Sequence, residues 1–113
     1  MKKSEILYNE LLLIQKSILN TVESEEVDLI DSFLEKRQQI VSQIVVLNEV
    51  IENIKQIKEE IIEIEAQIQT SIKNKFEEAK KNVMNHNKDQ IKTIKYFKSL
   101  IESKMNRNFE SEV

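Results

Sequence analysis

Three features of the 113-residue chain predict an all-α fold, an antiparallel bundle of three to four helices with a long third helix. There is no glycine and no proline, so glycine hairpins, phosphate-cradling loops and proline kinks have no residues to build them. Charged residues make up 33% and apolar residues 40%, a balance that suits amphipathic helices and carries too much apolar content for a disordered tract. Finally, apolar residues recur at steps of three and four through Val50, Ile54, Ile57, Ile61, Ile64, Ile68, Ile72, Phe76, Ala79 and Val83. That spacing defines one helix face. Its alternation of four and three as far as Ile68 is a coiled-coil seam, which the steps of four from Ile64 to Phe76 then rotate. The length predicts one domain, 1–113, near the size at which a bundle often completes its burial with a partner.

The first helix, about residues 4–23, carries Leu7, Leu11, Ile14 and Ile18 on one stripe, with Tyr8, Leu12, Leu19 and Val22 beside it. A face this wide implies two neighbours. Periodicity fails from Thr21 to Glu26, where Ser24 is the expected cap of the next helix. So short a connection forces the second helix, about 26–47, to run antiparallel to the first. Its stripe is Ile30, Phe33, Arg37, Ile40, Ile44 and Leu47, and Arg37 interrupts it. The expected arrangement has the Arg37 stem packed along the seam and its guanidinium reaching a carboxylate or water at the edge, with partner binding as the other reading. Asn48 is the weak point before the third helix, and without Gly or Pro one continuous helix is the alternative there.

A third helix over about 49–85 spans roughly 50 Å at ~1.5 Å per residue, more than helices of ~20 residues cover, so part of its face needs another cover. The polar run Asn85 to Asp89 is the next break, after which a last helix, about 88–107, folds back. Its stripe is Ile91, Ile94, Phe97 or Lys98, Ile101 and Met105, with Tyr96 and Leu100 adjacent and Phe109 in a fraying tail.

The residues argue against catalysis. There is one His, no Cys and no glycine-shaped pocket, and His86 lies in the polar break as a solvated residue. No catalytic, cofactor-binding or metal-binding residue is assigned. Glu59, Glu60, Glu63 and Glu65 read as a solvated acidic face, because carboxylate di-metal bundles need Glu-x-x-His pairs that the chain lacks. The absence of Cys fits an intracellular protein, and no run is long enough for a signal core or a membrane span; a cytoplasmic protein without membrane insertion is expected. Charge is asymmetric: residues 1–72 carry −7, residues 73–107 carry +6 and the tail −2. The Lys-rich region from Lys73 to Lys104 raises a nucleic-acid reading, but its lysines are spread around the helix and its aromatics fall at stripe positions. Complementing the acidic half, or an acidic partner, explains them better.

The chain resembles the FliT-type flagellar export chaperones. Leu11 to Val22, the acidic break Glu23 to Asp28 and the run Leu29, Ile30, Phe33, Leu34, Glu35, Lys36, Arg37, Gln38, Gln39 and Ile40 are similar to that family's first hairpin. Ile57, Ile61, Glu65, Ile68 and Ile72 resemble its third helix, and the basic stretch reaching Ile94 and Tyr96 its approach to a C-terminal Tyr. Missing Pro or Gly between helices two and three, and the length of chain beyond Tyr96, depart from the pattern. FlgN-type chaperones are the nearest competitor.

The resemblance implies a cytoplasmic chaperone whose partners are a flagellar client, the filament cap protein foremost, and the export apparatus. The client's amphipathic segment would lie against Arg37, Ile61, Ile64, Ile68, Ile72 and Phe76. A lid helix bearing Ile91, Ile94, Tyr96, Phe97 and Ile101 would cover Ile61, Ile64, Ile68 and Ile72 until the client displaces it. The alternative is a structural coiled-coil protein, a homo-oligomer built through the third helix and without a client; the third reading is the nucleic-acid binder.

Overall fold

The computed structural model describes residues 2–47, 54–81, 88–103 and 109–113. They form helices α1 (Lys3–Glu23), α2 (Val27–Leu47), α3 (Lys55–Lys81), α4 (Lys88–Glu102) and the short α5 (Phe109–Glu112), and no strand occurs among the described residues. The expected all-α antiparallel bundle is the observed one. It is elongated, 53 × 20 × 20 Å.

The wide apolar face of α1 does what its width requires, packing on both α2 and α3. Leu7, Tyr8 and Leu11 of α1 meet Ile40, Val41 and Ile44 of α2 and Ile61 of α3 in one apolar cluster. Ile18 and Val22 meet Ile30, Ile68 and Ile72 in a second. Residue numbers thus rise together along α1 and α3 and fall along α2. Helices two and three are separate, antiparallel elements; the expected weak point at Asn48 lies outside the described residues. The third helix is the longest, at 27 residues. Its described part is about 40 Å long at ~1.5 Å per residue; residues 49–53 and 82–85 of the expected 49–85 lie outside the described residues.

The α1–α2 turn is built without glycine. Glu25 N–H donates to the Val22 carbonyl (3.1 Å) and Glu26 N–H to the Thr21 carbonyl (2.9 Å), the crossed pair that ends a helix through a left-handed residue. Glu25 is that residue, with φ 58°. Ser24 was expected to cap α2. Instead its hydroxyl bonds the Asn20 carbonyl and Glu26 Oε2, both at 2.9 Å, so it closes the end of α1.

The lid helix α4 ends at Glu102, five residues before the expected boundary, and residues 104–108 are outside the described residues. Phe109 does not fray: it opens α5 and is only 4% exposed. The extra cover needed by the third helix therefore comes in two pieces, α4 over the second cluster and α5 over the first.

Candidate partner-binding site

The candidate site is the side of α2 and α3 that α1 leaves uncovered. At mid-height it is crossed by a polar layer with one residue from each helix: Gln15, Arg37 and Glu65. Arg37 Nη1 donates to Gln15 Oε1 at 2.7 Å and to Glu65 Oε2, and Gln15 Nε2 donates to the Ile61 carbonyl at 3.0 Å. Gln69 Nε2 adds a bond to Glu65 Oε1 at 3.1 Å. The layer explains itself locally. Each member occupies a stripe position, Gln15 between Leu11 and Ile18, Arg37 between Phe33 and Ile40, and Glu65 between Ile61 and Ile68, so forming the apolar faces carries all three inward. Once inside they must satisfy one another, because an unpaired buried charge is far more costly than a paired one. Every buried side-chain polar atom among the described residues has a partner.

Arg37 was expected to send its guanidinium to the edge of the seam; its side chain is instead 0% exposed. Burial pulls its pKa below the ordinary value, and the charge and hydrogen bond of Glu65 pull it back up. Its outer side is closed by Phe109, whose ring centre lies 4.2 Å from the guanidinium carbon. Glu65, expected on a solvated acidic face, is buried, whereas Glu59, Glu60 and Glu63 are exposed. Gln15 was missed altogether. The signal was available in all three cases: a polar residue four after one stripe residue and three before the next, once per helix.

The other expected site residues divide between the two clusters. Ile68 and Ile72 are buried beneath α4, while Ile64 and Phe76 are half-buried and pack against the same cluster. Ile61 is fully buried but belongs to the first cluster, under α1 and Phe109, so α4 does not cover it as expected.

The lid stripe is corrected too. Phe97 is its single fully buried anchor, set among Ile18, Ile30, Ile68 and Ile72. Tyr96 and Leu100 pack beside it, Ile94 is half-buried, and Ile91 and Ile101 are each 41% exposed. The reason is angular: at 3.6 residues per turn Phe97, Leu100 and Tyr96 share the face turned to the groove, which leaves Ile101 at its margin and Ile91 on the side opposite Leu100. Tyr96 further donates from its hydroxyl to Asp31 Oδ1 at 2.7 Å, tying α4 to the start of α2. Burial first, then that hydrogen bond and the Asp31 charge, push the Tyr96 phenol well above its ordinary pKa. Lys92, Lys95 and Lys98 face solvent, and Lys98 pairs with Glu102 of its own helix at 3.8 Å.

The arrangement is suited to binding an apolar helix face. Two covers, α4 and α5, lie on a groove with an apolar upper half and a cation in its floor lower down. No protein-family model, curated protein or solved structure matches this chain. No helix among the described residues is long and apolar enough to cross a membrane.

Proposed function

We propose that this chain is a non-enzymatic client-binding chaperone of the flagellar-export type, whose α2–α3 groove takes an amphipathic helix of a secreted flagellar subunit once α4 moves aside. The observation that carries the reading is the way α4 is held. It has 15 residues, too few for a stable isolated helix, and among its described side chains one is fully buried, Phe97, with Tyr96 and Leu100 half-buried beside it. The buried apolar contact that holds α4 is opposed by the conformational entropy lost in ordering the helix. A cover held in this way is one that a ligand of the same chemistry displaces, its measured affinity reduced by the closed fraction.

The flagellar assignment rests on the resemblance of the first hairpin, the third helix and the basic approach to Tyr96; the geometry supports the client-binding step. A coiled-coil role for the third helix has less in its favour, since Ile61, Ile68 and Ile72 are buried within one chain and need no second copy. The nucleic-acid reading gains nothing from the fold, which uses Phe97 as core and half-buries Phe76 and Tyr96.

The test is titration of a filament cap protein, and separately of a hook-filament junction protein, into the chain and into its Phe97→Ser variant. Binding is expected in both and tighter in the variant, whose lid is loosened. If neither subunit binds either chain, the chaperone reading is abandoned.

A further inference from the structure

We propose that the depression floored by Arg37 and Tyr8 is a second, separately opened binding site, whose ligand is a helical segment of a partner protein carrying an aromatic residue and, four positions later, a branched aliphatic one. This rests on the client-binding reading and adds the chemistry of the ligand.

The site displays its ligand, because the chain's own C-terminal segment occupies it. Phe109 and Val113 are four apart on one helical turn, closed by the Val113 N–H to Phe109 carbonyl bond at 3.1 Å, and both are buried among Leu7, Leu11, Ile40, Ile44 and Ile61. The Tyr8 hydroxyl donates to the Val113 main-chain oxygen at 3.1 Å, which fixes how far along the groove the turn can sit. A four-residue helix has no stability of its own. Its helical form is imposed by the site, and it is replaceable by any segment that brings the same two anchors on a longer helix.

What distinguishes this half of the groove from the half under α4 is the cation. Around Phe97 the described walls are Ile18, Ile30, Ile68 and Ile72; beneath Phe109 lies the Arg37 guanidinium, which Gln15 and Glu65 hold in place. When α5 leaves, those bonds keep the guanidinium where it is, so the newly opened face is already arranged for a ring. An aliphatic side chain would cover the cation without compensating it, whereas an aromatic face attracts it. The upper half thus accepts apolar residues in general, and the lower half selects an aromatic.

The probe is a labelled peptide of residues 104–113, titrated into the full-length chain and its Phe109→Ala variant and followed by amide chemical shifts. Binding to the variant is expected about tenfold tighter than to the parent, the change that a segment closing about nine-tenths of the sites would produce. Shifts should centre on Tyr8, Arg37 and Ile40, and a peptide with Leu at the Phe109 position should bind the variant several-fold more weakly. Equal affinity for parent and variant, no binding to either, or equal binding of the two peptides overturns the proposal.

Hydrogen exchange on the unmodified chain gives a second reading that no substitution can disturb. The Val113 amide should exchange much faster than amides beside Ile40 and Ile61, and protection equal to theirs overturns separate opening. Sedimentation of the parent as a dimer that Phe109→Ala dissolves would make the ligand a second copy's segment and overturn the assignment to another protein. Peptide binding with no flagellar subunit captured leaves this site standing and removes only the chaperone reading.

Discussion

The Phe109 ring centre lies 4.2 Å from the guanidinium carbon of Arg37, so a residue of the last helix seals a charge held at the middle of the three-helix body. On its other side that charge is answered by Gln15 from α1 and Glu65 from α3. One polar layer therefore sets the alignment of three helices and marks the boundary between two apolar clusters.

Removing one partner from that layer strands the other. Glu65→Ala should lower unfolding free energy by about 3–5 kcal/mol, the cost typical of leaving one charge of a buried pair uncompensated. Replacing Gln15, Arg37 and Glu65 together with Leu, Met and Leu should recover most of that loss. Urea denaturation of both variants checks this, and a Glu65→Ala chain as stable as the parent would show that the pair is not closed to water.

The left-handed residue of the α1–α2 turn is a Glu. Glu25→Gly should stabilise the chain by about 0.5–1 kcal/mol, because a Cβ at positive φ is strained while glycine is not. Glu25→Val should destabilise it, since a β-branched side chain tolerates that region least. Thermal melts of the three chains are the measurement; an unchanged or lower Tm for Glu25→Gly counts against the turn geometry.

Phe97→Ala should cost less than the roughly 3–5 kcal/mol usual for a core Phe. The loss is capped by the free energy that docks α4, after which the helix leaves and no further penalty accrues. Hydrogen exchange should show α4 unprotected while α1, α2 and α3 keep their protection. Uniform loss across all four helices would mean that α4 is integral to the core.

Alkaline pH should open the bundle. Burial raises the Tyr8 phenol, and burial with the Asp31 contact raises that of Tyr96, above the ordinary value of 10.0. The folded chain thus holds both phenolic protons more tightly than the unfolded chain. The resulting stability is fully present below pH 10 and is lost as pH rises from there toward the folded values. These are the chain's two tyrosines, so tyrosinate absorbance reports on both. Its rise should coincide with loss of helix, and tyrosinate forming near pH 10 in an intact bundle would contradict the burial of these groups. Tyr96→Phe should leave Tyr8 as the sole contributor.

Spacing of apolar residues was sufficient for the fold class, for the break near Ser24, and for Phe97, Ile68 and Ile72 as buried residues, because helical periodicity is a local property that each segment carries by itself. The break at Ser24 was legible, whereas which helix that residue serves was not, since a serine closes either end and only the left-handed turn at Glu25 decides. Likewise Arg37 was visible as an interruption of its stripe. That Glu65 and Gln15 answer it, that Phe109 seals it, and that Ile61 lies under α5 instead of α4 depend on which heights of four antiparallel helices coincide. That register is set by the lengths of the connections and by the need to pair a buried cation, and both act between segments distant in the chain, where a periodic pattern read along one helix carries no information.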